Sequence, residues 1–238
     1  MGLRRLYRDW AIRTAKRIAY RGITVPLTGD HMIRPVVVQL FSDAYEVPEI
    51  TALQAVVRPG DRVLELGTGL GIVTALAARA AQGGKVLTFE ANPALIAPAA
   101  ALFSQNQIGN VEARHGVITD GPGGGTLSFH LAEFFPEGSL AKKGVGVIEV
   151  PTWSAAETVK DFHPDVLICD IEGAEGDLLP ALDLSSLRAA VIELHPHILS
   201  GTAVARIYGH LFQHGLFPAI EHSSGTVVVF QRTEQPQT

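Results

Sequence analysis

Short apolar runs alternate with alanine- and leucine-rich stretches from about residue 50 onward. The apolar run at Asp61–Leu66 follows a Pro59-Gly60 turn and predicts a buried strand. The segment Ile72–Ala81 contains no proline and predicts a helix, which Gly83-Gly84 ends before a second strand at Lys85–Phe89. A strand, a helix and a second strand joined by short turns predict a parallel pair with a right-handed crossover.

The same alternation continues to the end of the chain. It predicts a helix at Pro93–Gln107, a third strand at Val111–Ile118, further strands at Val166–Asp170 and Ala189–Leu194, a helix at about Thr202–His214, and a final strand pair around Leu216–Ile220 and Thr226–Phe230. A polar turn at His222–Gly225 makes that last pair a hairpin, so one strand runs antiparallel to the others. The predicted fold class is α/β, a Rossmann-like, mostly parallel seven-stranded sheet with an antiparallel last strand and helices on both faces.

Residues 119–160 break this alternation, with a glycine-rich turn at Gly121–Gly125 and two strand-like runs. We interpret them as an insertion between the third and fourth core strands. Such insertions often form substrate pockets, and a plain surface loop is the alternative. The predicted organisation is an N-terminal helical appendage over residues 1–48 and one domain over residues 49–238.

Composition supports one globular domain without a membrane span. The chain has 238 residues, 47% of them hydrophobic and 18% charged, which gives ample material for a buried core. The net charge of −5 gives no general attraction to nucleic acid, so we expect no nucleic-acid partner. No apolar run is long enough for a transmembrane segment, and no secretory signal is visible. With Cys169 as the single cysteine, inside an apolar run, these features predict a cytoplasmic protein.

The N-terminal segment is more basic than the rest of the chain. Its basic residues are Arg4, Arg5, Arg8, Arg13, Lys16, Arg17 and Arg21. A basic amphipathic helix here would bind an anionic membrane surface or an acidic partner. The apolar stripe is ragged, which favours a helix that packs on the domain with solvated arginines. The same helix is a candidate interface for a homo-oligomer.

A glycine-rich turn, Glu65–Gly71 (ELGTGLG), lies where the first predicted strand meets the first helix. Alternating glycines let the backbone bend tightly, and the following helix points its amide groups at a bound ligand. A dinucleotide fingerprint needs a glycine where this chain has Ile72. Glu65 would repel a pyrophosphate but could bind a cationic amino-acid end. Glu90, after the second strand, can accept hydrogen bonds from both hydroxyls of a ribose.

These two strand ends resemble the first two motifs of class I S-adenosylmethionine-dependent methyltransferases. The resemblance implies that the glycine turn cradles S-adenosylmethionine and that Glu90 holds its ribose. The implied cofactor-binding residues are Glu65, Gly67, Thr68, Gly69, Gly71, Glu90, Ala91, Asn92, Val117 and Asp170. An NAD-dependent oxidoreductase and a non-catalytic nucleotide-binding scaffold are the alternatives, and the glycine spacing argues against the oxidoreductase.

The fourth predicted strand ends in the run Cys169–Glu175 (CDIEGAE). Ligands of open α/β sheets lie beyond the carboxyl ends of the strands, so Asp170 and Glu172 are expected to face the crevice, on the same side by strand parity. The run resembles the D-x-E-G-x-E signature of FkbM family methyltransferases. The later Ile192–Pro196 (IELHP) resembles the acidic–histidine strand end of that family. Glu175 falls at the start of the next helix.

The FkbM resemblance covers about residues 60–196 and implies O-methylation of a hydroxyl group on a sugar, a polyketide or a related small molecule. Many members carry a threonine-leucine-aspartate stretch before the fourth strand, where this chain has Pro151–Ala156 (PTWSAA), so the substrate-side lining can differ.

The candidate catalytic residues are Asp170, Glu172 and His195. A hydroxyl nucleophile benefits from a general base by roughly 10²–10⁴-fold. We favour His195 as the base because its unperturbed pKa lies nearest neutrality. Asp170 would then contact the cofactor and Glu172 would orient the substrate. A helix cap and a plain turn are the structural alternatives. Clustered carboxylates could also hold a divalent ion, but no diagnostic metal spacing exists, so no metal site is assigned.

Overall fold

The computed structural model describes residues 10–131 and 146–232. Its helices are α1 (Arg34–Phe41), α2 (Val47–Val56), α3 (Ile72–Ala80), α4 (Pro93–Gln105), α5 (Ala155–Phe162), α6 (Glu175–Leu178) and α7 (Gly201–Gln213). Its strands are β1 (Arg17–Tyr20), β2 (Ile23–Pro26), β3 (Arg62–Leu66), β4 (Lys85–Glu90), β5 (Val111–His115), β6 (Val117–Thr119), β7 (Thr126–Leu131), β8 (Gly146–Ser154), β9 (Val166–Cys169), β10 (Ala189–Glu193), β11 (Leu216–Pro218) and β12 (Val227–Arg232). Within these ranges, no helix has the length and hydropathy needed to cross a bilayer.

Seven strands form the central sheet in the order β11-β12-β10-β9-β3-β4-β5. The pairs β10-β9, β9-β3, β3-β4 and β4-β5 are parallel, whereas β12 runs antiparallel to both β10 and β11. The predicted mostly parallel sheet with its antiparallel last strand is therefore confirmed. The strand order reverses at β3 and β9, and ligands of such sheets bind beyond the carboxyl ends of the strands at this point.

Alternation along the strands divides the core into two layers. Val63 packs with one hydrophobic cluster, whereas the next residue, Leu64, packs with the other. The same alternation holds for Val166 and Leu167 in β9. Successive side chains of a strand point to opposite faces, so helices cover the sheet on both sides, as predicted.

The insertion has more structure than the sequence analysis expected. The third core strand ends at His115, and Val117 begins β6, part of a separate three-stranded sheet in the order β6-β8-β7. Gly116 lies between them with a φ of 129°, which a residue with a side chain rarely adopts. Helix α5, which the sequence analysis missed, leads into β9. The Ser154 hydroxyl accepts a hydrogen bond from the Glu157 amide at 3.3 Å and caps this helix.

The N-terminal segment keeps only part of the predicted helix: residues 10–14 are helical, and two strands follow them. Residues 17–26 form the antiparallel hairpin β1-β2, because Arg21 and Gly22 turn the chain with φ angles of 46° and 85°. Tyr20, Ile23 and Val25 are buried and belong to the same hydrophobic cluster as one face of the sheet. The hairpin therefore packs on the domain. Arg4, Arg5 and Arg8 lie outside the described residues, and the boundary near residue 48 and the oligomer stay predictions.

Candidate functional site

A cavity of about 1090 Å³ opens at the carboxyl ends of β3, β4, β9 and β10. The glycine turn and Glu90 line one end, and Asp170, Glu172 and His195 line the other. Short apolar side chains from α1 and from the insertion complete the wall. Two regions that the sequence analysis treated separately therefore border one space.

The glycine turn leaves room for a ligand because of where its glycines stand. Gly67 has a φ of 94°, and a Cβ there would lie 2.0 Å from the backbone oxygen of Asp170. Gly69 has a φ of 53° and nothing within 4 Å of its Cβ position. The first glycine thus lets β3 and β9 approach each other closely. The second leaves an open surface on the cavity, which fits a large cofactor.

Gly71 packs against a neighbouring helix. It is not among the residues that line the cavity, and a Cβ there would meet the Ala99 Cβ at 3.0 Å and the Phe103 ring at 3.1 Å. This glycine therefore lets α3 begin close against α4, and its contact with the cofactor stays a prediction.

Glu90 is held by backbone amides from two turns. Its Oε2 accepts a hydrogen bond from the Gly69 amide at 2.8 Å, and its Oε1 accepts one from the Asn92 amide at 2.8 Å. Burial raises the pKa of Glu90, these amide hydrogen bonds oppose the rise, and the net pKa is about 7. The carboxylate also lines the cavity, where its oxygens can accept further hydrogen bonds, as a pair of ribose hydroxyls would require.

Glu65 is fully buried at the end of β3. Its Oε2 accepts a hydrogen bond from the Thr74 hydroxyl at 2.6 Å, whereas its Oε1 has no hydrogen-bond partner among the described residues. Burial raises its pKa to about 7. A buried carboxylate oxygen without a partner is costly, and a cationic amine in the adjoining cavity would satisfy it. This orphaned oxygen fits the amino-acid end of S-adenosylmethionine.

The other expected cofactor residues also reach the cavity. Thr68, Ala91, Asn92 and Val117 all line it. The Thr68 and Thr88 hydroxyls hydrogen-bond each other at 2.6 Å and fix the turn, and the Asn92 Oδ1 accepts a hydrogen bond from the Ala94 amide at 3.1 Å and caps α4.

Asp170 and Glu172 both line the cavity, but not through strand parity. Strand β9 ends at Cys169, and the chain then turns with φ angles of 52° at Glu172 and 100° at Gly173. This turn brings both carboxylates to His195, whose Nε2 lies 3.6 Å from Asp170 Oδ1 and 3.6 Å from Glu172 Oε2. The three predicted catalytic residues therefore lie together.

Glu175 orients the imidazole ring of His195 through its Nδ1. Its fully buried carboxylate accepts a hydrogen bond from His195 Nδ1 at 2.8 Å, so Nε2 points toward Asp170 and Glu172. Burial alone would lower the pKa of His195, but the hydrogen bond and charge of Glu175, with the charges of Asp170 and Glu172, raise it to about 9. The pKa of His195 is therefore higher than the near-neutral value that the sequence analysis expected.

Two acidic residues that the sequence analysis did not single out also border the cavity. Glu46 and Glu49 lie at the start of α2, inside or next to the segment that was interpreted as an appendage. Their one-turn spacing could have identified them as a pair on one helix face. Nothing in the sequence placed that face opposite Asp170. None of the described lining residues is lysine or arginine.

Two family models match the sequence. The model of the methyltransferase FkbM domain matches residues 67–215, which is more than half of the chain. The model of protein-L-isoaspartate(D-aspartate) O-methyltransferase matches residues 8–125. No curated protein matches the sequence significantly.

The chain is also similar, at low sequence identity, to several solved structures. Trm5b from Pyrococcus abyssi is 11% identical, with a TM-score of 0.50 over 92% of this chain and 56% of its own. A TehB-like SAM-dependent methyltransferase from Corynebacterium glutamicum is 15% identical, with a TM-score of 0.45 over 82% of this chain and 93% of its own. A precorrin-6y C5,15-methyltransferase from Geobacter metallireducens is 14% identical, with a TM-score of 0.46 over 78% and 86%.

Proposed function

Since the chain belongs to the FkbM family of S-adenosylmethionine-dependent methyltransferases, we propose that it methylates a hydroxyl oxygen of a small molecule or sugar. The observation that carries this proposal is the His195–Glu175 pair. His195 Nδ1 donates to a buried carboxylate, and its Nε2 faces the cavity that the glycine turn also lines. A histidine oriented in this way is suited to take a proton from a hydroxyl nucleophile.

Three residues at the cofactor end of the cavity have separate roles in this proposal. Glu65 binds the amino group of the cofactor, Glu90 binds the ribose hydroxyls, and Gly69 leaves the space that the cofactor fills. When bound, S-adenosylmethionine would supply a methyl group whose carbon–sulfur bond breaks as the acceptor oxygen bonds to the carbon, with the electron pair kept by the sulfur.

The acceptor's proton goes to Nε2 of His195, and Glu175 stabilises the imidazolium that results. With its pKa raised to about 9, His195 is a neutral base only when a cation in the cavity offsets the surrounding carboxylates, which the sulfonium of bound S-adenosylmethionine would do. Glu172 and Asp170 orient the acceptor. Holding the oxygen roughly 3–3.5 Å from the methyl carbon supplies a further part of the acceleration.

The charge of the cavity argues against a carboxylate acceptor. Protein-L-isoaspartate methyltransferases, whose model also matches part of the chain, suggest this second possibility. Here Glu46, Glu49, Asp170, Glu172 and Glu193 all line the cavity, with no lysine or arginine among the described lining residues. A carboxylate acceptor would meet like charges in a space of low dielectric, whereas a neutral hydroxyl would not.

The test is methyl transfer from ¹³C-methyl S-adenosylmethionine to a panel of polyhydroxylated acceptors. We expect a product whose methyl signal has an ether chemical shift and survives mild base. A base-labile methyl ester or a methylamine would overturn the proposal. Glu175→Gln should lower kcat with little effect on KM for the cofactor, because it changes the orientation and charge of His195. An exposed-site control, Glu221→Gln, should change neither.

A further inference from the structure

A second group of carboxylates meets Asp170 on the side away from the glycine turn. Glu46 immediately precedes α2, Asp170 follows β9, and Glu193 ends β10. One carboxylate oxygen from each lies within 4.8 Å of the other two. Three separate segments of the chain therefore converge on one point with oxygen ligands.

Glu49 adds an independent observation at the same place. It is 8% exposed and lines the cavity, and its Oε2 has no hydrogen-bond partner in the described part of the chain. The same holds for the buried Oδ1 of Asp170. Buried carboxylate oxygens are normally paired or bound to a metal, since isolated ones are costly.

No lysine or arginine is among the described residues that line the cavity around this group. Of the described side chains that line the cavity, only histidines can carry a positive charge. A cation placed between these carboxylates would relieve their mutual repulsion.

We propose that Glu46, Asp170 and Glu193, with Glu49 beside them, bind a divalent cation of the Mg²⁺ or Mn²⁺ type. Every ligand is a carboxylate oxygen, which is the chemistry that hard divalent cations prefer. A small inward movement of the oxygens brings all three onto one ion at bond lengths of about 2.1 Å. A divalent ion is favoured over an ammonium group because it offsets two of the converging charges rather than one.

The position of the ion suggests its use. Asp170 belongs both to this group and to the cluster around His195, so the ion would lie between the base and the wall formed by α2. Its remaining coordination positions would hold the adjacent oxygens of a vicinal diol and present one of them to the methyl group. This use rests on the proposed function, whereas binding of the ion does not.

The test is titration of the EDTA-treated full chain with MnCl₂, followed by the electron paramagnetic resonance signal of free Mn²⁺. We expect one saturable site in the wild type. Glu46→Gln and Glu193→Gln should each bind Mn²⁺ at least about tenfold more weakly, because each removes a charged ligand. Glu221→Gln, an exposed carboxylate outside the cavity lining, should bind as the wild type does.

Thermal unfolding separates loss of the ion from loss of the fold. In EDTA the two cavity variants should be at least as stable as the wild type, because an amide matches a protonated carboxyl group in size and removes the repulsion of an ionised one. MnCl₂ should raise the Tm of the wild type and not that of the variants. Absence of saturable Mn²⁺ binding by the wild type, or undiminished binding by both variants, would overturn the proposal. An equal Tm increase with methylammonium chloride would do the same, since it indicates an ammonium site.

The two proposals fail in different ways. Titration with S-adenosylhomocysteine reports the cofactor end without involving the ion. If Mn²⁺ binds as expected but no methyl reaches an oxygen acceptor, the proposed function is wrong and the ion site stands. If methyl ethers form at the same rate in EDTA and no Mn²⁺ binds, the ion site is wrong and the function stands.

Discussion

Glu65 allows a test in which stability and cofactor binding should change in opposite directions. Its pKa rises from 4.5 to about 7 because the side chain is fully buried. A carboxyl group whose pKa is raised in the folded state binds more protons there than in the unfolded chain. Its contribution to stability is therefore greatest below pH 4.5, falls as the pH rises toward 7, and is constant above that.

The magnitude follows from the size of the rise. Each pKa unit corresponds to ~1.4 kcal/mol, so ionised Glu65 costs the unliganded fold about 3 kcal/mol. Glu65→Gln removes that charge but leaves an amide whose NH₂ group lacks a partner, which costs about 1 kcal/mol. The variant should therefore be more stable than the wild type by about 2 kcal/mol at pH 8, with almost no difference at pH 5.

The assay is urea unfolding of both proteins at pH 5 and pH 8, with Glu221→Gln as a control that should track the wild type at both. Isothermal titration at pH 8 should give at least about tenfold weaker S-adenosylhomocysteine binding by Glu65→Gln, because a charge-assisted hydrogen bond to the amino group is lost. The burial argument would be refuted if the difference in unfolding free energy between the variant and the wild type were the same at pH 5 and pH 8. Unchanged binding would refute the assignment of Glu65 to the amino end.

Three further substitutions test the cofactor end. Gly67→Ala should lower the free energy of unfolding in urea by more than about 2 kcal/mol, since its Cβ would lie 2.0 Å from the Asp170 backbone oxygen. A decrease of less than about 0.5 kcal/mol would contradict this close approach. Glu90→Gln should weaken S-adenosylhomocysteine binding about tenfold in calorimetry, because a neutral amide accepts ribose hydrogen bonds more weakly; equal affinity would remove Glu90 from the ribose site. Ser154→Ala should cost about 1 kcal/mol through loss of the cap to Glu157 and leave that affinity unchanged; a binding defect here would mean that general destabilisation, not lost contacts, explains the other variants.

The central sheet was predictable because its strands follow a strong local pattern. Apolar residues at successive strand positions face alternately to two covered faces, and short glycine turns separate them from the helices. The two misinterpreted regions also carried local signals. Ser154 and Glu157 have capping-box spacing before α5, and Arg21-Gly22 is a two-residue turn between β-branched and aromatic residues. The polar composition of the insertion concealed the capping box, and the basic stripe of the N-terminal segment concealed the turn.

The candidate site was predictable only where sequence motifs coincide with strand ends. The glycine turn, Glu90 and the Asp170–Glu175 run each follow a strand of the parallel sheet, so the topology brings them together. Glu46 and Glu49 lie on a segment whose position depends on how the N-terminal region packs against the sheet. No local periodicity contains that information, since it arises from contacts between residues far apart in sequence.

The two ends of the cavity differ in how their charges are balanced, and this difference bears on specificity. At the cofactor end, backbone amides donate to both oxygens of Glu90, so that site is organised before any ligand arrives. At the proposed acceptor end, Glu49 and Asp170 have buried oxygens without hydrogen-bond partners among the residues described, so a cation or a hydrogen-bonding ligand would complete this end. The amides belong to turns of the sheet, whereas Glu49 comes from α2, outside the residues that match the FkbM domain model. Changes near the start of α2 should therefore alter which acceptor is methylated while leaving the affinity for the cofactor largely intact.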